Sequence, residues 1–144
     1  MVEVTRTRRE VTLAAAYDSL MPLKTKRWND PAEPDDGHRL LVTRYRPRGL
    51  PKEQETWDAW DKELGPSVEL HAAAYGKGER LTLNWDIYRQ RYLKEMLAQA
   101  ARIKALAERA AAGETITLLC SAQCTREERC HRSLLRMLIE KHLT

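Results

Sequence analysis

Short apolar runs alternate with stretches of helical spacing along most of the chain. Residues 38–45 and residues 115–120 each contain an unbroken apolar run, which predicts a strand buried on both faces. Residues 26–30 predict a further short strand. Strands separated by helices are typical of a single α/β domain with a small, mostly parallel sheet flanked by helices.

Two helical patterns occupy the middle of the chain. Residues 52–64 carry Trp57, Trp60 and Leu64 at steps of three and four, which predicts a helix. Ser67 is a favourable N-cap for a second, shorter helix that ends at the next glycine.

A longer helical pattern follows. Apolar residues form one stripe along residues 85–110, with Arg and Lys opposite, and predict a continuous helix that Gly113 terminates. Thr125 and Glu128 match the capping-box pattern and predict the start of a last helix.

The length and composition fit one globular domain. At 144 residues the chain has room for a single hydrophobic core. Charged residues make up 32% and hydrophobic residues 42%, a balance that excludes a disordered chain. Residues 1–24 predict an N-terminal extension, and residues 25–144 predict the domain itself.

The shortness of the apolar runs and the number of cysteines predict the cellular compartment. No run approaches the roughly 18 apolar residues that cross a bilayer, and the N-terminus has no convincing signal peptide, so we predict a cytoplasmic protein without a membrane partner. Three cysteines are an odd number, which argues against a disulfide framework and predicts reduced thiols.

The placement of the charge is more informative than its size. The net charge is +4, and the excess of Lys and Arg lies towards the two ends of the sequence, whereas the middle is acidic. If the two ends meet in the fold, they form one basic surface that favours an anionic partner.

Two segments that follow predicted strands carry candidate chemistry. Residues 43–52 contain three alternating arginines, which project to one side while the backbone stays extended. Residues 116–135 contain all three cysteines, followed at once by a histidine and an arginine. Because ligands bind beyond the carboxyl ends of parallel strands, two neighbouring strands would place both segments around one cleft.

Such a cleft suits an anion. Backbone N–H groups at a helix start and arginine forks bind phosphate or carboxylate, and the same field favours the thiolate form of a cysteine. We therefore predict a pocket that binds a phosphate-like anion, such as a nucleotide or a nucleic-acid component, with thiol chemistry as a further expectation. The candidate catalytic residues are Cys120, Cys130 and His131. The candidate anion-binding residues are Arg44, Arg46, Arg48, Lys52 and Arg132.

Three other interpretations stay open. Cys120, Cys124, Cys130 and His131 have the ligand count of a zinc or iron site, although adjacent residues on a helix point about 100° apart and fit one ion poorly. No cofactor is therefore predicted, and a metal- or redox-responsive cysteine protein is an alternative. The five residues between Cys120 and Arg126 match the spacing of phosphatase loops.

A binding module without catalysis is the remaining alternative. Arg6, Arg8 and Arg9 could join the arginines of residues 43–52 and contact a nucleic-acid backbone, which predicts an affinity that falls steeply with salt.

Three blocks of the sequence resemble a known family. They read KRWNDPAEPDDGHRLLVTRYRPRGLPKE, WDKELGPSVEL, and TLLC followed later by CHR. In this order they resemble the bacterial and archaeal family catalogued as domain of unknown function 488, over residues 25–141. The resemblance implies a small α/β fold and a site rather than an activity.

The resemblance also implies site residues. The matched positions are Arg44, Pro47, Arg48, Gly49, Lys52, Trp60, Pro66, Ser67, Glu69, Leu70, Cys120, Cys130, His131 and Arg132. Among them, Ser67 and Glu69 are expected to be supporting residues.

The chain departs from the family pattern at several positions. His71 stands where the family has an arginine, and Arg46 where it has a tryptophan. Ala122 replaces a carboxylate, and Cys124 is an addition. Without that carboxylate, a general base beside the first cysteine would have to come from another residue or from water.

Overall fold

The sheet is small and entirely parallel. The computed structural model describes residues 23–76 and 82–143. Its strands are β1 (Leu23–Arg27), β2 (His38–Leu41), β3 (Ala59–Trp60) and β4 (Ile116–Cys120). They pair in the order β1-β4-β2-β3, each parallel to its neighbour. The α/β prediction is confirmed, and β2 and β4, the strands that would form one cleft if they were parallel neighbours, are paired.

Helices connect and cover the strands. In the described part of the chain they are α1 (Val68–Tyr75), α2 (Trp85–Met96), α3 (Ala100–Ala111) and α4 (His131–Glu140). The last of them, α4, packs against β1, β4, α2 and α3. None of the described helices combines the length and the apolar composition that crossing a membrane requires.

The two faces of the sheet differ in chemistry. Side chains alternate along each strand, so Leu40 and Leu118, which are register partners, lie on one face and join the hydrophobic core with the helices. One residue earlier in each strand, Arg39 and Thr117 are also partners and lie on the opposite face. Both are buried, so this second face is covered although it is partly polar.

A buried carboxylate holds the polar face together. Asp36 is 1% exposed and accepts hydrogen bonds from Lys24 at 2.8 Å and Lys26 at 2.9 Å, and from the guanidinium of Arg39. Its backbone carbonyl accepts from the Thr117 hydroxyl at 2.7 Å. The segment between β1 and β2 is thereby fixed to three adjacent strands.

The prediction of a helix over residues 52–64 is wrong. This segment contains two short 3-10 turns, Lys52–Gln54 and Lys62–Leu64, on either side of β3. The N–H groups of Asp58 and Asp61 donate to carbonyls of β2 at 2.7 and 2.9 Å. The open edge of β2 thus satisfies backbone groups that a helix would otherwise have paired internally.

The long helix is interrupted. A 3-10 turn, Leu97–Gln99, separates α2 from α3, and Leu97 is 78% exposed. A continuous stripe does not reveal such a break, because both halves still turn their apolar residues towards the core.

Two boundaries are displaced from their predicted positions. The first strand spans Leu23–Arg27 instead of residues 26–30. At its end, the Asp30 side chain accepts a hydrogen bond from the Arg27 N–H at 2.8 Å and closes a turn. Residues 23 and 24 therefore lie in β1, while the rest of the predicted extension lies outside the described residues. The last helix begins at His131 and not near Thr125, after a 3-10 turn at Glu127–Arg129.

Candidate functional site

All three thiols meet at the carboxyl edge of the sheet. Cys120 is the last residue of β4, Cys130 is the N-cap of α4, and Cys124 lies in the loop between them. The Sγ atoms of Cys120 and Cys130 are 3.0 Å apart, and all three Sγ atoms lie within 4.8 Å of one another. We call these three residues the thiol cluster. Cys120 and Cys130 are buried, and Cys124 is half-buried.

Hydrogen bonds fix the loop that carries Cys124. The Cys124 N–H donates to the Ser121 carbonyl at 3.1 Å, and Arg27 of β1 donates to the Ala122 carbonyl at 3.2 Å. Further along, the Ser133 hydroxyl of α4 donates to the Glu127 carbonyl at 2.7 Å. The neighbouring strand β1 and the helix α4 therefore both help to set the shape of the loop.

Arg132 brings a buried positive charge to the thiol cluster. The residue is 5% exposed, and its Nη2 donates to the Cys124 carbonyl at 3.4 Å. Its Nε atom is buried and has no hydrogen-bond partner among the described residues. A buried donor without a partner is costly, so this atom marks a position where a ligand atom would be stabilised.

His131 is held beside the thiol cluster in one tautomer. Its Nε2 lies 2.7 Å from the Val42 carbonyl, which can only accept, so Nε2 carries the proton. Burial lowers the pKa of His131, which favours the neutral ring. The ring of Tyr92 packs against it at 5.5 Å between centroids.

The thiols differ in acidity because they share hydrogen bonds. Burial raises the pKa of Cys120 and of Cys130 above the usual thiol value. Hydrogen bonds from these two thiols lower the pKa of Cys124, and the charge of Arg132 adds to the effect. Cys124, which is the addition to the family pattern, is therefore the most acidic of the three.

Three ring-bearing residues that the sequence did not single out for chemistry lie on the α1 and α2 side of the site: Tyr75 and Tyr88 near the thiols, and His71 beyond Tyr75. Burial raises the pKa of Tyr75, and the three thiols raise it further through electrostatic interaction. The Tyr88 hydroxyl is buried without a hydrogen-bond partner among the described residues. His71 packs between Tyr45 and Tyr75, at 4.9 Å from each ring. The position of His71, where the resemblance implies an arginine, was the one available signal.

The arginines of residues 43–52 are engaged in different ways. Arg44 binds Glu63 at 2.9 Å and the Pro66 carbonyl at 2.8 Å. The charge of Arg44 acts together with burial to lower the pKa of His71, so Arg44 lies on the side of the site that His71 occupies.

The other basic residues of this segment make no described contact with the thiol cluster. Arg46 binds Glu55 at 2.8 Å and stacks over Trp57. Arg48 and Lys52 are exposed. None of these three has a described contact with the thiol cluster, whereas Arg132 does.

The two supporting residues have different surroundings. Ser67 caps α1, since its Oγ accepts from the Leu70 N–H at 3.0 Å. Its hydroxyl and its N–H both donate to Glu95 of α2, the N–H at 2.8 Å. Glu69 is exposed in the first turn of α1. Ser67 therefore positions the helix that carries His71 and Tyr75.

The fold and the site define a class: a small parallel α/β protein with thiols, a histidine and an arginine at the carboxyl edge of its sheet. A family model described as the active DUF488-N3 subclade, DUF488-N3a, matches residues 23–143. The chain belongs to this DUF488 family.

Relatives in the family are similar over part or most of their length. The uncharacterized protein YeaO of Escherichia coli K12 is 40% identical over 105 residues, which cover 73% of this chain and 87% of YeaO. The uncharacterized protein Rv3073c of Mycobacterium tuberculosis H37Rv is 36% identical over 69 residues, 48% of this chain and 55% of that protein. No solved structure matches the chain.

Proposed function

We propose that the chain binds a small phosphate-like anion, of the kind that a nucleotide carries, beside the thiol cluster at the carboxyl edge of the sheet. The thiols are the reactive groups next to the bound anion. The matching subclade is described as active, and the thiol cluster is our candidate for where an activity would lie.

The observation that carries the proposal is the Nε atom of Arg132. A guanidinium that is 5% exposed and has an unpartnered donor is suited to an oxyanion, because arginine binds such groups with paired hydrogen bonds. Arg132 lies in the first turn of α4, where the positive end of the helix dipole also favours negative charge.

The paired arginines are weaker candidates for the same anion. Arg44 and Arg46 already bind glutamates, at 2.9 and 2.8 Å, so an anion would have to displace a carboxylate. Arg48 and Lys52 are exposed and lie in the same segment, where they would attract an anion at long range.

Thermal unfolding of the reduced full chain tests the proposal. Phosphate, pyrophosphate, nucleotides and short single-stranded DNA would each be compared with chloride at equal ionic strength, with a chelator present throughout. A ligand at about a hundred times its dissociation constant adds roughly 2.7 kcal/mol to the free energy of unfolding and raises the midpoint. We expect a mononucleotide or phosphate to do so.

Two arginine variants locate the effect. Arg132→Gln should abolish the shift, whereas Arg129→Gln, at an exposed arginine in the 3-10 turn before α4, should retain it. Absence of a shift with every anion in the wild-type chain would refute anion binding. A shift with single-stranded DNA alone would instead support the backbone-binding module.

A further inference from the structure

We propose that the sulfur atoms of Cys120, Cys124 and Cys130 bind one divalent, thiophilic metal ion of the zinc type. Metal binding itself does not depend on the proposed function. One point alone rests on the proposed function: the fourth coordination position of the ion, which no protein side chain fills, would receive the anion.

The spacing of the sulfur atoms fits a single ion. Zinc–sulfur bonds of about 2.3 Å place three sulfurs of one ion about 4 Å apart. The three Sγ atoms lie within 4.8 Å of one another, and the separation between those of Cys120 and Cys130 is 3.0 Å. A displacement of about 1 Å at that pair would complete the ligand geometry.

The ligands come from three anchored backbone positions. One lies at a strand end, one at a helix N-cap, and one in a loop that Arg27 and Ser133 tie to its neighbours. Side chains held in this way lose little conformational entropy when an ion binds.

Charge selects a divalent ion over a monovalent one. Three thiolates and a divalent ion leave one formal negative charge, which the buried guanidinium of Arg132 balances. A monovalent ion would leave a second negative charge in a buried site. Soft thiolate ligands favour zinc over the hard cations magnesium and calcium.

The site has three protein ligands and not four. In the described part of the chain, no histidine or carboxylate joins the group of three sulfurs. His131, which the sequence offered as a fourth ligand with poor geometry, is not in this group, and its Nε2 donates to the Val42 carbonyl instead. Zinc sites with three protein ligands keep the fourth position for water or substrate.

Cobalt absorption tests the proposal on the reduced, chelator-treated full chain, without any added anion. Co(II) replaces zinc and absorbs in the near ultraviolet when thiolate ligands bind it. We expect this band to saturate at one ion per chain and to disappear when zinc is added. Cys124→Ser should weaken binding at least tenfold, while Gln123→Ala, an exposed residue of the same loop, should leave it unchanged.

A second measurement needs no variant. One equivalent of zinc should protect all three thiols of the wild-type chain from alkylation. No cobalt–thiolate band, a band that survives Cys124→Ser, or protection of fewer than three thiols would overturn the proposal. Because the anion experiment is done with chelator and this one without anion, failure of either proposal is seen separately.

Discussion

Two buried tyrosines on one face of α2 illustrate how much a single hydroxyl matters. The Tyr92 hydroxyl donates to the Leu64 carbonyl at 2.8 Å, whereas the Tyr88 hydroxyl, one turn earlier, is buried and forms no well-aligned hydrogen bond, although the Tyr75 side chain lies next to it. The two rings stack with 6.4 Å between their centroids. An unpaired buried hydroxyl costs desolvation free energy that a paired one recovers.

Removing the two hydroxyls should change the free energy of unfolding in opposite directions. Tyr88→Phe should raise the free energy of unfolding of the ligand-free chain by about 1 kcal/mol, because it removes the unpaired hydroxyl. Tyr92→Phe, the matched control, should lower it by about 1 kcal/mol, because it strands the Leu64 carbonyl. Urea unfolding measures both, and a loss of stability in Tyr88→Phe would mean that its hydroxyl has a partner.

Among the elements, α1 depends on its N-cap residue, Ser67, for two kinds of contact. Ser67 caps α1 through the Leu70 N–H and links it to α2 through Glu95. The preceding Gly65 permits a close approach, since a Cβ there would lie 2.6 Å from the Arg44 nitrogen. Both contacts place His71 and Tyr75 beside the thiol cluster.

Removing the cap should therefore affect stability and the site together. Ser67→Ala should lower the free energy of unfolding by about 1 to 2 kcal/mol through loss of the cap and of the hydrogen bond to Glu95. Ser121→Ala, whose hydroxyl has no described hydrogen bond, should change it by less than about 0.5 kcal/mol. Equal stability of the two variants in urea would show that the cap contributes nothing.

For the whole molecule, the polar face of the sheet links stability to pH. Burial alone would raise the pKa of Asp36, but hydrogen bonds from Lys24, Lys26 and Arg39 outweigh it and hold that pKa well below its usual value of 3.8. The folded state therefore binds fewer protons than the unfolded state as the pH falls below about 4. This contribution is complete above the unfolded pKa and is lost as the pH falls through the folded one.

Asp36→Asn should destabilise the chain by about 3 kcal/mol at neutral pH, because it leaves the buried guanidinium of Arg39 without its carboxylate partner. The difference from wild type should shrink as the pH falls below about 4, where the carboxyl of Asp36 begins to protonate in the unfolded wild-type chain. Asp35→Asn, at an exposed carboxylate with one ion pair to Lys24, should cost less than about 1 kcal/mol. A difference between wild type and Asp36→Asn that does not vary between pH 7 and pH 3 would contradict this account.

Much of the fold followed from local pattern, whereas the connections did not. β2 and β4 each contain consecutive leucines, which place an apolar side chain on both faces as a central strand requires, so they were readable in the sequence. The segment around Trp60 has helical spacing yet pairs as an edge strand, because β2 offers unpaired backbone groups there. The break at Leu97 was equally unreadable, since each half of the stripe is a good helix by itself.

The sequence by itself determined the class of fold, the clustering of chemistry after β4, and the importance of Cys120, Cys130 and Arg132 as candidates, because these depend on residue types and neighbours along the chain. Only the tertiary structure decided which groups meet. It joined Cys124 to the other two thiols, bound Arg44 and Arg46 to glutamates, and brought Tyr75 and His71 from α1 to the same place. The physical reason is that burial, hydrogen bonding and charge balance depend on distances between residues far apart in the chain, which no local pattern encodes.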